Sequence, residues 1–285
     1  MDLPVAVEML DAAQAYGVDL RAALSGDDEQ LRPTEIAQPA LLFVECALRR
    51  ALPEDLDIVA VAGHSVGEYA AAVAAHALQP AEAMRLVIQR GRAMAAMREG
   101  TMCALIGIDA DAATSVCAET QRETNEIVVV ANYNAPGQLV ISGSVAGVDA
   151  AAKLALTRGA RRAIPLNVSG AFHSPLMAAA ATAFGSALED ASIADPRPPV
   201  VCNVDGGDVH TADDLRDRLR AQLTSPVRWI DCVHRLVDLG AEMLVEVGPG
   251  SVLSGLARRI ASEVRAVSVS TPDAAARVDV AAVAR

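Results

Sequence analysis

The chain has 285 residues, of which 52% are hydrophobic and 21% are charged, a balance typical of a globular protein rather than a disordered one. Its formal net charge is −12 and Lys153 is its single lysine, so no basic cluster is available for nucleic-acid binding. Five scattered cysteines without a C-x-x-C pair favour reduced thiols. No apolar stretch has the length of a membrane span, so we expect no membrane binding. With the reduced thiols and the lack of a basic cluster, the expectation is a cytoplasmic protein that does not bind nucleic acid, and we expect it to be a monomer.

The first part of the chain predicts helices leading to one strand. Helical patterns cover residues 4–16 and 38–52, with Pro39 in the first turn of the second helix. An apolar run over 58–62 predicts a strand, and the Ala-rich stretch after it predicts a helix over 68–77. Gln79 and Pro80 then open a long helix that ends near Met97.

Residues 101–170 follow a different pattern, in which strands and helices alternate as β-α-β-β-α-β. The predicted strands are 102–108, 127–132, 138–142 and 162–168, and the predicted helices are 111–120 and 145–158. This order is that of a ferredoxin-like unit. The sequence therefore predicts a small domain, 101–170, inserted into a larger discontinuous domain formed by 1–100 and 171–285.

The larger domain resumes after the insert with further alternating elements. The predicted helices are 174–189, 211–223 and one that ends at Ile260, and the predicted strands are 199–204 and 243–247. Strands that alternate with helices imply a parallel sheet, so the fold class is α/β.

Gly63-His64-Ser65-Val66-Gly67 stands between a predicted strand and a predicted helix. This is the setting in which the serine of G-x-S-x-G becomes an exposed nucleophile, with helix N–H groups near any oxyanion that forms. A glycine-rich turn that packs a helix on a sheet is the alternative explanation. We favour Ser65 as a nucleophile because the strand and the helix flank it directly.

His173 is the histidine best placed to act as a base for that serine. It follows a predicted strand and precedes a predicted helix, which places it at the carboxyl edge of the sheet, where such sheets bind ligands. A structural histidine satisfied by its neighbours is the alternative.

Arg90 lies within the apolar stripe of its predicted helix. Its neighbours on that face are apolar residues: Leu86, Val87, Met94 and Met97. Arginine is rarely buried without a partner, so an internal salt bridge or a snorkelling side chain is one explanation. The other is a guanidinium that binds the carboxylate of a ligand.

Six motifs occur in one order along the chain. They are Gly63–Tyr69 (GHSVGEY), Arg90–Met94 (RGRAM), Asn132–Gln138 (NYNAPGQ), Gly170–His173 (GAFH), Gln222–Trp229 (QLTSPVRW) and Glu246–Gly250 (EVGPG). In these motifs, over nearly its whole length, the chain resembles the malonyl-CoA:acyl-carrier-protein transacylases and the acyltransferase domains of polyketide synthases. The resemblance implies an α/β-hydrolase-like domain with a ferredoxin-like insert.

The resemblance also implies a role for each matching residue. Ser65 would carry the malonyl group, His173 would be the base, and Arg90 would bind the malonyl carboxylate. A backbone carbonyl near Gln222 would orient the histidine, and the Val66 N–H would contact the oxyanion. Phe172 and Val66 match the malonyl-selecting version of the family, and Asn132 would face the cleft, with hydrogen-bonded turn residues as the alternative for its motif.

The implied substrates are malonyl-CoA and an acyl-carrier protein, whose phosphopantetheine supplies the acceptor thiol, and no separate cofactor is implied. Fatty acid biosynthesis is the implied pathway, with a trans-acting polyketide-type acyltransferase, a weakly active remnant and an α/β-hydrolase esterase as alternatives. The family begins with a strand and a Gly-Gln-Gly-Ser-Gln loop that this sequence lacks. We therefore expect either an upstream start or a truncated gene, and poor folding or little transferase activity in the chain as written.

Overall fold

The computed structural model describes residues 3–27 and 29–278. The helices are α1 (Leu3–Ala15), α2 (Leu20–Ser25), α3 (Thr34–Arg49), α4 (Gly67–Ala74), α5 (Pro80–Ala95), α6 (Ala110–Thr124), α7 (Val145–Thr157), α8 (Ala178–Glu189), α9 (Ala212–Ala221), α10 (Trp229–Asp238), α11 (Val252–Ile260) and α12 (Pro272–Ala275). The strands are β1 (Val61–Ala62), β2 (Thr101–Ile106), β3 (Val128–Ala135), β4 (Gln138–Gly143), β5 (Arg162–Pro165), β6 (Val200–Val201), β7 (Asp208–Val209), β8 (Met243–Val247) and β9 (Arg265–Val269). None of the described helices is long and apolar enough to cross a bilayer.

The larger part of the molecule carries the parallel pairing expected of an α/β fold, and the predicted fold class is confirmed. β1 pairs in parallel with β6, and β8 pairs in parallel with β9. The single parallel sheet of the prediction is divided into these two pairs. Residues of β1 and β8 together line a cavity of about 580 Å³ that lies between the pairs.

The main hydrophobic core packs helices around the β1–β6 pair. Leu86 and Val87 of α5 are completely buried in it, as are Tyr69 of α4 and Phe184 of α8. Since α5 buries one face here, Arg90 on that same face is carried into the core rather than out to solvent.

The β2–β5 segment forms a separate four-stranded antiparallel sheet in the order β3-β4-β2-β5. Helices α6 and α7 pack against it around a second core that includes Leu105, Val116 and Val148. The strand order and the two helices are those of a ferredoxin-like unit. The domain boundaries at 101 and 170 stay a prediction.

Several element predictions are wrong in their bounds. Helix α3 begins at Thr34, four residues before the predicted start, and Pro39 lies inside it, because Gln38, Pro39 and Ala40 are buried against the core and hold this turn helical. Strand β3 continues through Asn134 to Ala135, so the connection to β4 shortens to Pro136 and Gly137, where Gly137 has a φ of +70°.

Other predictions miss elements or extend them too far. The predicted helix over 68–77 ends at Ala74, and His76 follows it with a φ of +57°. Helix α10 and strand β9 were not predicted. The apolar stripe of α10, which buries Trp229 and Cys232, was a helical signal that the prediction overlooked. Strand β9 pairs along its whole length with β8.

Candidate active site

The turn between β1 and α4 presents Ser65 in a strained backbone conformation. Its φ is +52°, in the left-handed region that a residue with a side chain rarely adopts and that clusters at functional sites. Gly63 makes the turn possible, because a Cβ there would overlap the backbone C and O of Gly67. The Val66 N–H, at the N-terminus of α4, has no acceptor among the described residues and so remains free to bind an oxyanion.

Ser65 lies within hydrogen-bond distance of His173, which is 108 positions away in the sequence. The distance between Ser65 Oγ and His173 Nε2 is 2.8 Å, and that between His173 Nδ1 and the backbone O of Gln222 is 3.0 Å. A carbonyl oxygen only accepts, so Nδ1 carries the proton and donates it. Nε2 is therefore the acceptor for the Ser65 hydroxyl, as a serine nucleophile requires.

His173 is held in its neutral form. It is 5% exposed, and burial together with the nearby charge of Arg90 lowers its pKa to about 3. A neutral imidazole can take the Ser65 proton across the neutral and mildly acidic range. The residue has a φ of +56°, so the chain turns sharply where it places this ring.

Arg90 brings a buried positive charge close to Ser65. It is 1% exposed, and Nη2 donates to Ser65 Oγ at 3.1 Å. Its other partners are amide oxygens: Nη1 donates to Gln38 Oε1 at 2.6 Å and Nη2 to Gln222 Oε1 at 2.7 Å. Within the described residues no carboxylate pairs with Arg90, and its Nε has no hydrogen-bond partner. The described residues therefore contain no internal salt bridge to Arg90, which was one alternative explanation of its burial.

The sequence reasoning missed two buried residues behind the site. Asn203 Oδ1 accepts the Ser65 N–H at 2.7 Å, and Asn203 Nδ2 donates to the Gly63 carbonyl at 2.8 Å, which braces the strained turn. Glu68 is completely buried and accepts from Asn203 N–H at 2.5 Å and from Gln222 Nε2. Glu68 belongs to the GHSVGEY motif, and an acidic residue on the buried face of α4 was the signal available in the sequence.

The remaining predicted site residues lie at the edge of this arrangement. Val66 and Phe172 are partly buried against the main core. Asn132 is 6% exposed and lies where β3 bridges to Val227, and its side chain makes no hydrogen bond to Ser65, His173 or Arg90. Its neighbour Asn134 contacts the turn that carries Ser65, because Asn134 Oδ1 is 2.9 Å from His64 Nε2.

No group of three or more histidine, cysteine, aspartate and glutamate side chains in the described ranges could hold a metal ion. The site therefore consists of a serine, a neutral histidine, a buried guanidinium and a free N–H at a helix N-terminus. Such a set is equipped to transfer an acyl group that carries a negative charge.

Comparison with known proteins decides the family. Residues 8–278 match the model described as "Acyl transferase domain". The chain belongs to the acyl transferase family. One relative in this family, malonyl CoA-acyl carrier protein transacylase of Bacillus subtilis, is 41% identical over 252 residues, which are 87% of this chain and 79% of the relative.

Solved structures of the family share the fold over nearly the whole chain. The structure of an acyl-carrier-protein S-malonyltransferase from Burkholderia pseudomallei aligns with a TM-score of 0.90 at 37% identity. The alignment covers 96% of this chain and 91% of the Burkholderia chain. A malonyl-transacylase in complex with a type II polyketide synthase acyl-carrier protein also aligns with a TM-score of 0.90, at 36% identity. The alignment covers 97% of this chain and 92% of the transacylase chain.

Proposed function

We propose that this acyltransferase moves the malonyl group from malonyl-CoA to the phosphopantetheine thiol of an acyl-carrier protein, in fatty acid biosynthesis. The observation that supports the substrate class is Arg90, a buried cation without a carboxylate partner in the described residues, 3.1 Å from the Ser65 hydroxyl oxygen. A buried arginine of this kind favours an acyl group that brings its own carboxylate. The names of the relatives point to the same substrate and acceptor.

In the first half-reaction, Ser65 Oγ attacks the thioester carbonyl while its proton passes to His173 Nε2. The oxyanion of the tetrahedral intermediate would be bound by the Val66 N–H. When the intermediate collapses, the C–S bond breaks, the coenzyme A thiol leaves with the proton from His173, and a malonyl ester remains on Ser65. Throughout, Arg90 would hold the free carboxylate of the malonyl group.

The second half-reaction reverses these steps with a different thiol. The phosphopantetheine thiol of the carrier protein gives its proton to His173 Nε2, and its sulfur attacks the malonyl ester. Collapse returns the proton to Ser65 Oγ and releases malonyl-carrier protein. Because His173 is neutral in the resting site, it can accept a proton at the start of either half-reaction.

The location proposed for this reaction is the cytoplasm. All five cysteines are free and buried, as expected of a protein made in a reducing compartment.

The solved structure of a relative bound to a polyketide synthase carrier protein makes such a carrier the second acceptor to assay, beside a fatty-acid-synthesis carrier.

Intact-protein mass spectrometry after mixing with malonyl-CoA tests the proposal. We expect a shift of one malonyl group on the wild type and none on Ser65→Ala, followed by loss of the adduct when carrier protein with a phosphopantetheine arm is added. Free malonate without malonyl-carrier protein would assign the site to hydrolysis. No adduct on the wild type would contradict both reactions.

A further inference from the structure

We infer that Glu68 is a positioning residue for acyl-group selection: it fixes the amide of Gln222 so that the amide oxygen faces Arg90 and holds the guanidinium in place beside Ser65. The inference rests on the proposed function, since it concerns how the malonyl carboxylate would be recognised. Glu68 itself forms no salt bridge with Arg90 and no hydrogen bond with the Ser65 hydroxyl.

The Gln222 side chain stands at the centre of the arrangement. Its Nε2 donates to the Ser65 carbonyl at 2.9 Å and to Glu68 Oε2, while its Oε1 accepts from Arg90 Nη2 at 2.7 Å. Gln222 is completely buried, so water cannot replace any of these contacts. Through its side chain, one residue contacts both the nucleophile turn and the buried cation.

An amide can lie in two orientations that differ by a flip of its O and N atoms. In the flipped orientation, the Gln222 NH₂ group would face the NH₂ of Arg90, and its oxygen would face the Glu68 carboxylate and the Ser65 carbonyl. All three contacts would then be repulsive. Glu68 contributes to this choice because its Oε2 is the acceptor that faces the Gln222 NH₂ group.

The Glu68 side chain is itself held in one position. Its Oε1 accepts the backbone N–H of Asn203 at 2.5 Å, and α4 holds its backbone. Burial raises the pKa of Glu68 to about 8, even though its two N–H donors and the charge of Arg90 lower it. Each carboxyl oxygen nevertheless has one fixed donor, because Oε1 accepts from the Asn203 N–H and Oε2 accepts from Gln222 Nε2.

Glu68→Gln keeps the size of the side chain but makes a donor of one of the two atoms. The NH₂ of the substituted glutamine faces either the Gln222 NH₂ or the Asn203 N–H, and in both cases two donors face each other. When it faces the Gln222 NH₂, a flip of the Gln222 amide removes the conflict but turns a donor toward Arg90. We expect Arg90 to be displaced and the ratio of malonyl to acetyl adduct rates at Ser65 to fall roughly ten- to a hundredfold, as for loss of a hydrogen bond to a charged group. The Ser65–His173 pair should persist, because the backbone carbonyl of Gln222 still orients His173.

The experiment measures rates of malonyl and acetyl adduct formation at Ser65 by intact mass, together with the thermal melting temperature. The matched control is Glu45→Gln, because Glu45 has the same raised pKa of about 8 from burial but no hydrogen bond to any described site residue. A double mutant, Glu68→Gln with Arg90→Ala, shows the route of the effect: once Arg90 is gone, Glu68→Gln should change the ratio no further.

An unchanged ratio in Glu68→Gln with normal wild-type transfer would overturn the inference and leave the proposed function standing. A lower ratio that falls equally again in the Arg90→Ala background would also overturn it, since Glu68 would then act by another route. Absence of a malonyl adduct on the wild type would instead contradict the proposed function. If Glu68→Gln does not fold, Glu68→Asp decides. Aspartate keeps a carboxyl group but withdraws it from Gln222, so the ratio should fall, whereas a purely electrostatic role of Glu68 predicts no change.

Discussion

Replacement of Arg90 by alanine tests how the site selects its acyl group. Arg90 is 1% exposed, donates only to amide and hydroxyl oxygens, and has no carboxylate partner in the described part of the chain. A malonyl carboxylate would complete this arrangement, whereas an acetyl group would leave the guanidinium without a carboxylate in direct contact. Leaving such a charge unpaired costs about 3–5 kcal/mol.

That free energy sets the expected size of the effect. Arg90→Ala should slow malonyl transfer by roughly two to three decades, because the carboxylate then enters a buried site without its cation. Acetyl transfer should be kept or increased, since acetyl-CoA no longer meets an unpaired guanidinium. The assay compares kcat/KM for malonyl-CoA and acetyl-CoA with the same carrier protein.

Arg92→Ala is the matched control on the same helix. Arg92 is exposed and donates to the carbonyl of Tyr16, away from Ser65, so its removal should leave both acyl rates unchanged. Equal losses of malonyl and acetyl transfer in Arg90→Ala would refute the reasoning, because Arg90 would then support the fold and not the carboxylate.

Three further outcomes are expected. Ser65→Ala should abolish the adduct and His173→Ala should slow its formation at neutral pH, and the double variant should be no worse than Ser65→Ala; additive losses would place His173 outside the catalytic unit. Because the pKa of His173 is about 3 in the fold and about 6.5 when unfolded, the adduct rate of folded protein should stay flat from about pH 8 to about pH 5. The free energy of unfolding should fall as the pH drops below about 6.5, and this fall should be smaller in His173→Ala. Arg90→Ala should shift the acid limb of the rate profile to higher pH, and a limb that stays at the same pH would contradict the electrostatic account. Gly63→Ala should lower the melting temperature and abolish the adduct because its Cβ would overlap Gly67, whereas Gly185→Ala in α8, with open space around its Cβ, should not; equal melting temperatures would show that the turn tolerates a side chain.

The nucleophile turn was predictable because its causes are local. A strand, a glycine pair around a serine and a following helix occupy adjacent residues, and Gly63 to Gly67 is the span over which the chain must turn. Arg90 was predictable for a similar reason, since helical periodicity alone places it on the apolar face of α5. The order of strands and helices in the small sheet followed from the same local patterns.

The partners of these residues were not predictable from local patterns. The Ser65–His173 contact could be supposed from residue types, but its 2.8 Å distance and the tautomer that it requires depend on the carbonyl of Gln222, 157 positions from Ser65. The position of Glu68 on the buried face of α4 was a signal of burial, but neither it nor Asn203 gave a signal of its role, because a buried polar residue is explained only by the groups that bond to it.

Sequence by itself indicated the family, the α/β class, the candidate nucleophile and the candidate cation, since short-range motifs and helical or strand periods carry that information. Tertiary structure alone decided which hydrogen-bond donors and acceptors face one another: that Arg90 meets two glutamine oxygens instead of a carboxylate, that burial holds His173 neutral, and that Glu68 lies behind Gln222. These features depend on contacts between segments far apart in the chain, and the free energy of a buried polar group is set by those contacts rather than by its neighbours in sequence.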